Sequence, residues 1–224
     1  MTDGAEHDDR LVTASEFFSR AQERLTFDVP AALTNPDAIA RPDAHNADPA
    51  LRAAIAAVRP IRLAAVLVPV VRRNEPSVLF TERTAALADH GGEISFPGGK
   101  IDAGDASPAA AALREAEEEI GLARECVEPI GYLDIHITPF GHRIVPVLAR
   151  VLPGFALRLN HDEVEDAFEV PLAVLMSPQN HKRETLDWNG FSLDSYAMQF
   201  ANRKIWGVTA IILRNLYERV YRNG

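Results

Sequence analysis

Three glutamates near the end of one helical segment are the residues of this sequence best placed to do chemistry together. Glu115, Glu118 and Glu119 fall within an arc of roughly 100° on a helical wheel, whereas Glu117 points away from them. Carboxylates so close together repel one another, and the negative end of the helix dipole adds to the repulsion. A bound cation would relieve both effects, and oxygen ligands on a helix suit Mg²⁺ or Mn²⁺. The spacing therefore predicts a divalent-metal site, with a solvated acidic face as the alternative.

The helix that carries these glutamates can be delimited from its own sequence. Ser107 suits the N-cap, Pro108 the first turn, and Gly121 the position just after the last turn. We therefore predict a helix over residues 107–120 whose apolar stripe faces a sheet. The stripe consists of Ala109, Ala112, Leu113, Ala116 and Ile120.

A pair of glycines lies ahead of this helix. Gly98 and Gly99 follow Pro97 and allow the backbone to approach a ligand or a metal closely. Arg114, four residues before Glu118, is placed to hold that carboxylate in orientation. The loop and the helix together favour a catalytic metal site over a solvated surface.

Residues 99–122 resemble the Nudix box, whose pattern is Gx₅Ex₇REUxEExGU with U aliphatic. The second half matches at every fixed position from Arg114 to Leu122, with Ala116 as a small aliphatic residue. The first half contains one additional residue, and Asp102 or Asp105 stands where the box has glutamate. The chain is thus similar to the Nudix hydrolases in its most distinctive segment.

This resemblance implies both a fold and a catalytic site. The fold is a Nudix-type α/β/α sandwich around a mixed β-sheet, within the α/β (α+β) class. The resemblance further implies that Mg²⁺ or Mn²⁺ activates water and neutralises the bridging phosphates. Its implied ligands are Glu115, Glu118, Glu119 and the Gly99 carbonyl, with Arg114, Glu115 and Glu118 as catalytic residues.

Residues 79–99, LFTERTAALADHGGEISFPGG, resemble the motif of the coenzyme A pyrophosphatase branch, approximately LLTxRSxxLxxHxGxxxFPGG. Ala88 stands where many relatives carry arginine. The resemblance implies hydrolysis of coenzyme A or its derivatives to 3′,5′-ADP and 4′-phosphopantetheine. Without the motif, Arg83 would be interpreted as a solvated strand-end residue and His90 as a loop-packing residue. With it, the substrate-binding candidates are Arg83, His90, Lys100, Gly98 and Gly99, whose cations suit a substrate rich in phosphate.

The sequence leaves the general base and the substrate open. The base is one of the box glutamates or Glu163, which lies in the acidic cluster of residues 162–166 and is equally interpretable as a surface charge. One functional alternative is a Nudix hydrolase for another nucleoside diphosphate derivative, such as ADP-ribose or NADH. A more distant alternative is a non-catalytic Nudix-fold binding module, which would be expected to lack box glutamates.

Apolar runs predict the elements that must position these residues. We expect residues 1–58 to form an N-terminal extension and residues 59–224 the Nudix domain. Short helices are predicted over 13–25 and 51–58, with an extended connection over 28–49 and a final helix over 208–221. Strands are predicted over 61–71, 77–82, 127–137, 143–151 and 168–174, with later short strands or turns at Phe191 and 196–200.

Composition limits the classes of partner. The chain has 224 residues, of which 47% are apolar and 25% charged, as in a globular domain. A net charge of −9 disfavours nucleic acid and anionic membranes, so a small nucleotide is the expected partner. Cys126 is the single cysteine and the acidic N-terminus does not resemble a signal peptide, so we expect a cytoplasmic protein. A homodimer stays open.

Overall fold

A mixed β-sheet between two helical layers forms the body of the computed structural model, which describes residues 13–35, 49–85, 91–188 and 190–221. Its central strand, β1, is the Val-rich segment Arg62–Val71, and the apolar run explains why it is buried on both faces. Parallel to β1 runs β7, and the other pairings are antiparallel. The strands are β1 (Arg62–Val71), β2 (Ser77–Arg83), β3 (Ile94–Ser95), β4 (Gly98–Lys100), β5 (Val127–Tyr132), β6 (His136–Ile137), β7 (His142–Val151) and β8 (Val164–Pro171).

The neighbours in this sheet explain how the site is assembled. The order is β3-β2-β1-β7-β5, and β8 pairs with β2. The strand β1 pairs with β2 near its end and with β4 near its beginning, so the glycine pair is hydrogen-bonded directly to the central strand. The sequence analysis treated that pair as loop, and this prediction was wrong because a three-residue strand leaves no periodic signal.

Alternating side chains of β1 pack against different helical layers. Ala65 and Leu67 belong to the core under α4 (Pro108–Ile120), whereas Val68 and Val70 face the core that includes α1 (Ala14–Arg24) and α6 (Gly207–Val220). This is the period of two expected for a strand buried on both sides. The predicted α/β/α sandwich is therefore confirmed.

A second, smaller sheet follows the main one along the chain. It has the order β11-β10-β9 and lies against α6. The sequence analysis proposed only short strands or turns here, because many residues of β9 are polar and exposed and give no apolar run. Its strands are β9 (Lys182–Trp188), β10 (Phe191–Phe200) and β11 (Arg203–Trp206).

The N-terminal helices pack onto the main body. Thr13 and Glu16 form the capping box of α1, and Phe17 is fully buried in the core beside α6. Arg24 Nη1 donates to the Val220 carbonyl at 3.0 Å. One short helix, α2 (Ala31–Thr34), interrupts the predicted extended connection, part of which lies outside the described residues, and α3 is Pro49–Ala57. The division of the chain at residue 58 stays a prediction.

The remaining elements differ from prediction mainly at their ends. The strand predicted over 127–137 is divided into β5 and β6, and the strand predicted over 168–174 ends at Pro171, where α5 (Leu172–Leu175) begins. The predicted last helix agrees with α6 to within a residue. Within the described ranges, no helix combines the length and apolarity needed to cross a bilayer.

Candidate active site

Helix α4 is bounded by the signals that its sequence carries. The Ser107 hydroxyl accepts a hydrogen bond from the Ala110 amide at 3.1 Å, and Gly121 ends the helix with a φ of 65°, which glycine adopts without steric cost. The predicted apolar stripe lies against the sheet, with Ala112, Ala116 and Ile120 fully buried. The neighbouring arc of the helix carries the three glutamates out toward β4.

The glycine pair of β4 accommodates two of those glutamates at close range. A Cβ atom on Gly99 would lie 2.4 Å from Glu115 Oε2, and one on Gly98 would lie 2.5 Å from the Ala65 carbonyl of β1. The Gly98 amide donates to Glu119 Oε2 at 3.1 Å. The fold therefore requires glycine at position 98, where a side chain would displace the central strand, whereas at position 99 a side chain would displace the Glu115 carboxylate.

Arg114 joins the loop to the helix. Its Nε and Nη2 atoms donate to the two carboxylate oxygens of Asp105 at 3.1 Å each, and Nη2 also donates to the Lys100 carbonyl at 3.0 Å. The Nη1 atom donates to Glu115 at 2.7 Å and to Glu118 at 3.2 Å. The bond to Glu118 is the contact predicted from the four-residue spacing.

These hydrogen bonds distinguish Asp105 from Asp102, the two aspartates that precede the helix. Asp105 receives the forked Arg114 contact, which lowers the pKa of the Asp105 carboxyl, and it also caps the Asp102 amide at 2.8 Å. Asp102 instead accepts from the Lys100 ammonium at 2.8 Å. Asp105 is thus the acid that fixes the loop against Arg114.

Burial shifts the ionisation of the two inner glutamates. The pKa of Glu119 is raised to about 7, chiefly by desolvation; the Gly98 amide and Arg83 oppose this shift, and the negative charges of Glu115 and Glu163 add to it. Desolvation also raises the pKa of Glu115, while the bond from Arg114 opposes the shift. The negative charge of Glu163, which immediately precedes β8, makes a small contribution to both shifts.

Arg83 projects from the end of β2 toward the same acids. Its Nη1 atom lies 4.0 Å from Glu119 Oε1, which is a long ion pair. Its Nε atom is buried and has no hydrogen-bond partner among the residues that the structure describes. A buried Nε without a partner in a guanidinium that is otherwise partly exposed can donate to an anionic ligand at low further desolvation cost.

The other predicted site residues are less closely gathered. The side chain of Glu118 is 60% exposed and lies at the rim with Arg114, and the Lys100 side chain is 78% exposed beside Asp102. His90 lies outside the described residues. In the described part of the chain, no three His, Cys, Asp or Glu side chains are grouped closely enough to hold a metal ion as they stand.

Even so, the donor set suits a divalent cation. Glu115 and Glu119 offer hard oxygen ligands whose ionised forms are disfavoured by burial and by each other, so a nearby 2+ charge would stabilise both. Glu118 and the Gly99 carbonyl lie on the same two elements. The donor types of this site therefore suit a divalent metal, and Arg83 beside them suits a phosphorylated ligand.

Asn160 is a residue of this site that the sequence analysis did not single out. Its backbone amide donates to the backbone carbonyl of Glu119 at 2.8 Å, and its backbone carbonyl accepts from the backbone amides of Glu163 and Val164. Its side-chain Nδ2 lies 3.5 Å from Glu163 Oε1. The available signal was the turn-forming Asn160-His161-Asp162 run, in which Asn160 Oδ1 accepts from the Asp162 amide at 3.3 Å.

Comparison with known proteins agrees with this geometry. A family model described as the NUDIX domain matches residues 61–189. The chain is 40% identical over 155 residues to proteins described as uncharacterized Nudix hydrolase NudL from Salmonella paratyphi B and Salmonella newport. Each alignment covers 69% of this chain and 81% of the relative.

Solved structures resemble the chain more remotely. A Caenorhabditis elegans Ap4A hydrolase aligns at 21% identity over 49% of this chain and 80% of its own, with a TM-score of 0.42. The NUDIX domain of Shewanella oneidensis NrtR, complexed with ADP ribose, aligns at 23% identity over 57% of this chain and 80% of its own, with a TM-score of 0.40.

Proposed function

The chain belongs to the Nudix family, and we propose on that basis that it is a metal-dependent pyrophosphohydrolase of coenzyme A or its derivatives. Nudix hydrolases cleave the pyrophosphate of nucleoside diphosphate derivatives and generally require divalent metal ions. The proposed products are 3′,5′-ADP and 4′-phosphopantetheine. The observation that carries the hydrolase assignment is the close approach of Glu115 and Glu119 to the Gly98–Gly99 strand.

Glu115, Glu118 and Glu119, with the Gly99 carbonyl, are the proposed ligands of Mg²⁺ or Mn²⁺. When bound, such an ion would lower the pKa of an attacking water and neutralise charge on the bridging phosphates. Burial of Glu119 and Glu115 supports this role, since burial disfavours their ionised forms and a bound cation would compensate the charge. Glu118 is the proposed ligand from the rim.

Other residues of the chain orient the acids and accept the proton. Arg114 donates hydrogen bonds to Glu115, Glu118 and Asp105 and thereby fixes the loop against the helix. We assign the general base to Glu163, whose charge acts on both inner glutamates and whose carboxylate lies within reach of Asn160. A box glutamate is the alternative base.

Coenzyme A is the proposed substrate because of the segment that precedes the glycines. That segment resembles the coenzyme A pyrophosphatase motif and supplies Arg83, whose buried Nε is free to donate within the described structure. Lys100 adds an exposed cation beside the site. Such donors suit a substrate that carries a 3′-phosphate in addition to its pyrophosphate.

Another nucleoside diphosphate derivative, such as ADP-ribose or NADH, is the second candidate substrate. It is favoured by Ala88, which stands where many coenzyme A pyrophosphatases carry an arginine and so removes one cation. A non-catalytic binding module is disfavoured, because Glu115, Glu118 and Glu119 are all retained.

Glu118→Gln tests the hydrolase assignment, with Glu117→Gln as its matched control. Both changes remove one carboxylate from the exposed side of α4, but Glu117 points away and pairs with Arg124 at 2.8 Å. Loss of a metal-ligand charge should lower turnover by orders of magnitude in Glu118→Gln, while Glu117→Gln stays within about twofold of wild type. Turnover is measured by product chromatography with and without EDTA. Wild-type turnover in Glu118→Gln, or in excess EDTA, would remove the metal assignment.

A further inference from the structure

The strand pair β2–β8 contains a bulge at the point where it reaches the active site. The register is regular from Ser77–Pro171 to Glu82–Asp166, but the next pair is Arg83–Val164, so Glu165 has no partner on β2. A bulge of this kind reverses which residues face each side of the sheet. Because of it, Val164 is buried in the core under α4 while Glu165 is exposed.

Glu163 depends on this bulge for its place in the site. Its carbonyl accepts from the Thr84 amide at 3.0 Å, and its amide donates to the Asn160 carbonyl at 3.0 Å, so its backbone is held immediately beyond the irregular step. The backbone amide of the same Asn160 donates to the Glu119 carbonyl at 2.8 Å, which connects the Glu163 backbone to the end of α4. A shift of β8 by one residue would move Glu163 away from both acids.

Two acids face each other at the last regular pair before the bulge. Glu82 and Asp166 are directly opposite in the register, and like charges so placed destabilise a strand pair. Arg203 of β11 bridges them: Nε donates to Glu82 Oε2 at 3.2 Å and Nη2 donates to Asp166 Oδ2. One guanidinium thus converts a repulsive pair into a clamp across both strands.

Aromatic packing fixes the direction from which Arg203 reaches the strands. Its guanidinium carbon lies 4.0 Å from the centroid of the Phe168 ring, which stacks on Phe80 at 5.9 Å. Phe80 in turn stacks at 5.1 Å on Phe96, three residues before Gly99. A planar guanidinium fits this sandwich of a ring and two carboxylates, whereas a lysine ammonium would supply only one point charge.

We propose that Arg203, on the small sheet, is a positioning residue for hydrolysis, which holds the β2–β8 bulge and thereby places Glu163 in the active site. This role of Arg203 rests on the proposed function, in which Glu163 acts in pyrophosphate cleavage. Arg203 itself does not contact the acids of α4. Its contribution passes through Asp166 and the two residues, Val164 and Glu165, that separate Asp166 from Glu163.

The test is a double-mutant cycle between Arg203→Met and Glu163→Gln, measured as kcat and KM on coenzyme A with Mn²⁺. Arg203→Met should lower kcat by about tenfold to hundredfold, since a misplacement of about 1 Å can cost as much as a hundredfold. In the Glu163→Gln background the same change should cost less than about threefold, because the group that it positions is already lost. A purely structural role would give the same loss in both backgrounds.

Arg73→Met is the matched control, because Arg73 clamps the far end of the same strand pair. Its guanidinium donates to both oxygens of Glu169 at 2.9 and 2.7 Å, well away from the bulge. It should leave kcat within about twofold of wild type. Melting curves establish that each variant is folded, and if Arg203→Met does not fold, Arg203→Lys takes its place in the cycle with the same expected coupling.

The possible failures are distinguishable. A wild-type enzyme that cleaves no nucleoside diphosphate derivative would overturn the proposed function itself. An active wild type with unchanged kcat in folded Arg203→Met, equal losses in both backgrounds, or full activity in Glu163→Gln would overturn the role of Arg203 and leave the hydrolase assignment standing.

Discussion

Glu119 occupies an environment that ties its ionisation to metal binding. It is 4% exposed, accepts one hydrogen bond from the Gly98 amide, and has its cationic neighbour Arg83 at 4.0 Å. Desolvation raises its pKa to about 7, so in the metal-free protein the acid is half protonated near neutrality. A metal ligand must be ionised, so the proposed role of Glu119 as a ligand implies that the proton and the cation compete for this carboxylate.

The affinity for the metal should consequently decrease as the pH is lowered. An acid with a pKa of about 7 is about nine-tenths ionised at pH 8 and about one-tenth ionised at pH 6, so Mn²⁺ should bind about tenfold more weakly at the lower pH. Titration calorimetry at both pH values, in buffers of different ionisation enthalpy, measures the affinity and the proton released. Glu119→Gln should abolish the pH dependence, and equal Mn²⁺ affinity of the wild type at pH 6 and pH 8 would contradict the assignment.

The same shift has a defined sign for stability without metal. The pKa of Glu119 is higher in the folded state than its ordinary value of 4.5 in the unfolded state. Its contribution to stability is therefore fully present below about pH 4.5. Its contribution is lost as the pH rises through about 7. Added Mn²⁺ should therefore raise the melting temperature more at pH 8 than at pH 6.

Arg83 is the residue on which substrate choice should depend. A charge-assisted hydrogen bond to phosphate contributes about 1.5–3 kcal/mol, so Arg83→Ala should lower kcat/KM for coenzyme A by about tenfold to hundredfold. The loss on ADP-ribose should be smaller if Arg83 contacts a group that only coenzyme A has. Steady-state kinetics on both substrates measure this difference, after melting curves have shown that the variant is folded. Equal losses on both would instead place Arg83 on the shared pyrophosphate.

At the residue scale, the sequence predicts the contacts that the periodicity of a single helix determines. The glutamate arc and the Arg114–Glu118 contact follow from helical spacing, and Glu117 indeed turns away to Arg124. The bonds from Arg114 to Asp105 and from Gly98 to Glu119 could not be predicted, since they depend on how β4 lies against α4. The roles assigned to these residues in catalysis stay predictions.

At the scale of the elements, α4 and β4 together carry the candidate site. Two single substitutions are expected to separate the effect of these elements on stability from their effect on catalysis. An alanine Cβ at position 99 would lie 2.4 Å from Glu115 Oε2, the end of a flexible side chain that can move aside. Gly99→Ala should therefore leave the protein folded but lower kcat by about a hundredfold through displacement of Glu115.

Ser107→Ala is the complementary change in the same helix. It removes the cap that holds the Ala110 amide and should lower the free energy of unfolding by about 1 kcal/mol, with kcat unchanged. Urea unfolding and steady-state kinetics on both variants measure the two effects. A Gly99→Ala protein with wild-type kcat would show that Glu115 does not need its position against β4.

Prediction of the elements succeeds where apolar runs or caps are strong. The central strand β1, the helix α4 with its Ser107 and Gly121 signals, and α6 were all predicted within one or two residues. The short strands β3 and β4 and the polar strand β9 were missed, because pairing with neighbours, and not their own composition, makes them strands.

Across the whole molecule, the two faces of the main sheet have different tasks. The α4 face carries the glutamates and Arg83, while the α6 face carries Arg203, the aromatic stack and the helix α1. The net charge of −9 does not give the local charge at the site, because the site combines acids with the cations Arg83, Lys100 and Arg114. Composition could therefore disfavour broad classes of partner but could not locate the site.

The central claim is that this protein hydrolyses the pyrophosphate of coenzyme A with a divalent metal. The most direct measurement is product chromatography of coenzyme A, ADP-ribose and NADH incubated side by side with Mg²⁺, with Mn²⁺ and with EDTA. We expect coenzyme A to be cleaved fastest, to 3′,5′-ADP and 4′-phosphopantetheine, and only when a metal is present. Rapid cleavage of ADP-ribose or NADH with coenzyme A left nearly intact would contradict the substrate assignment, and cleavage of none of the three would contradict the account as a whole.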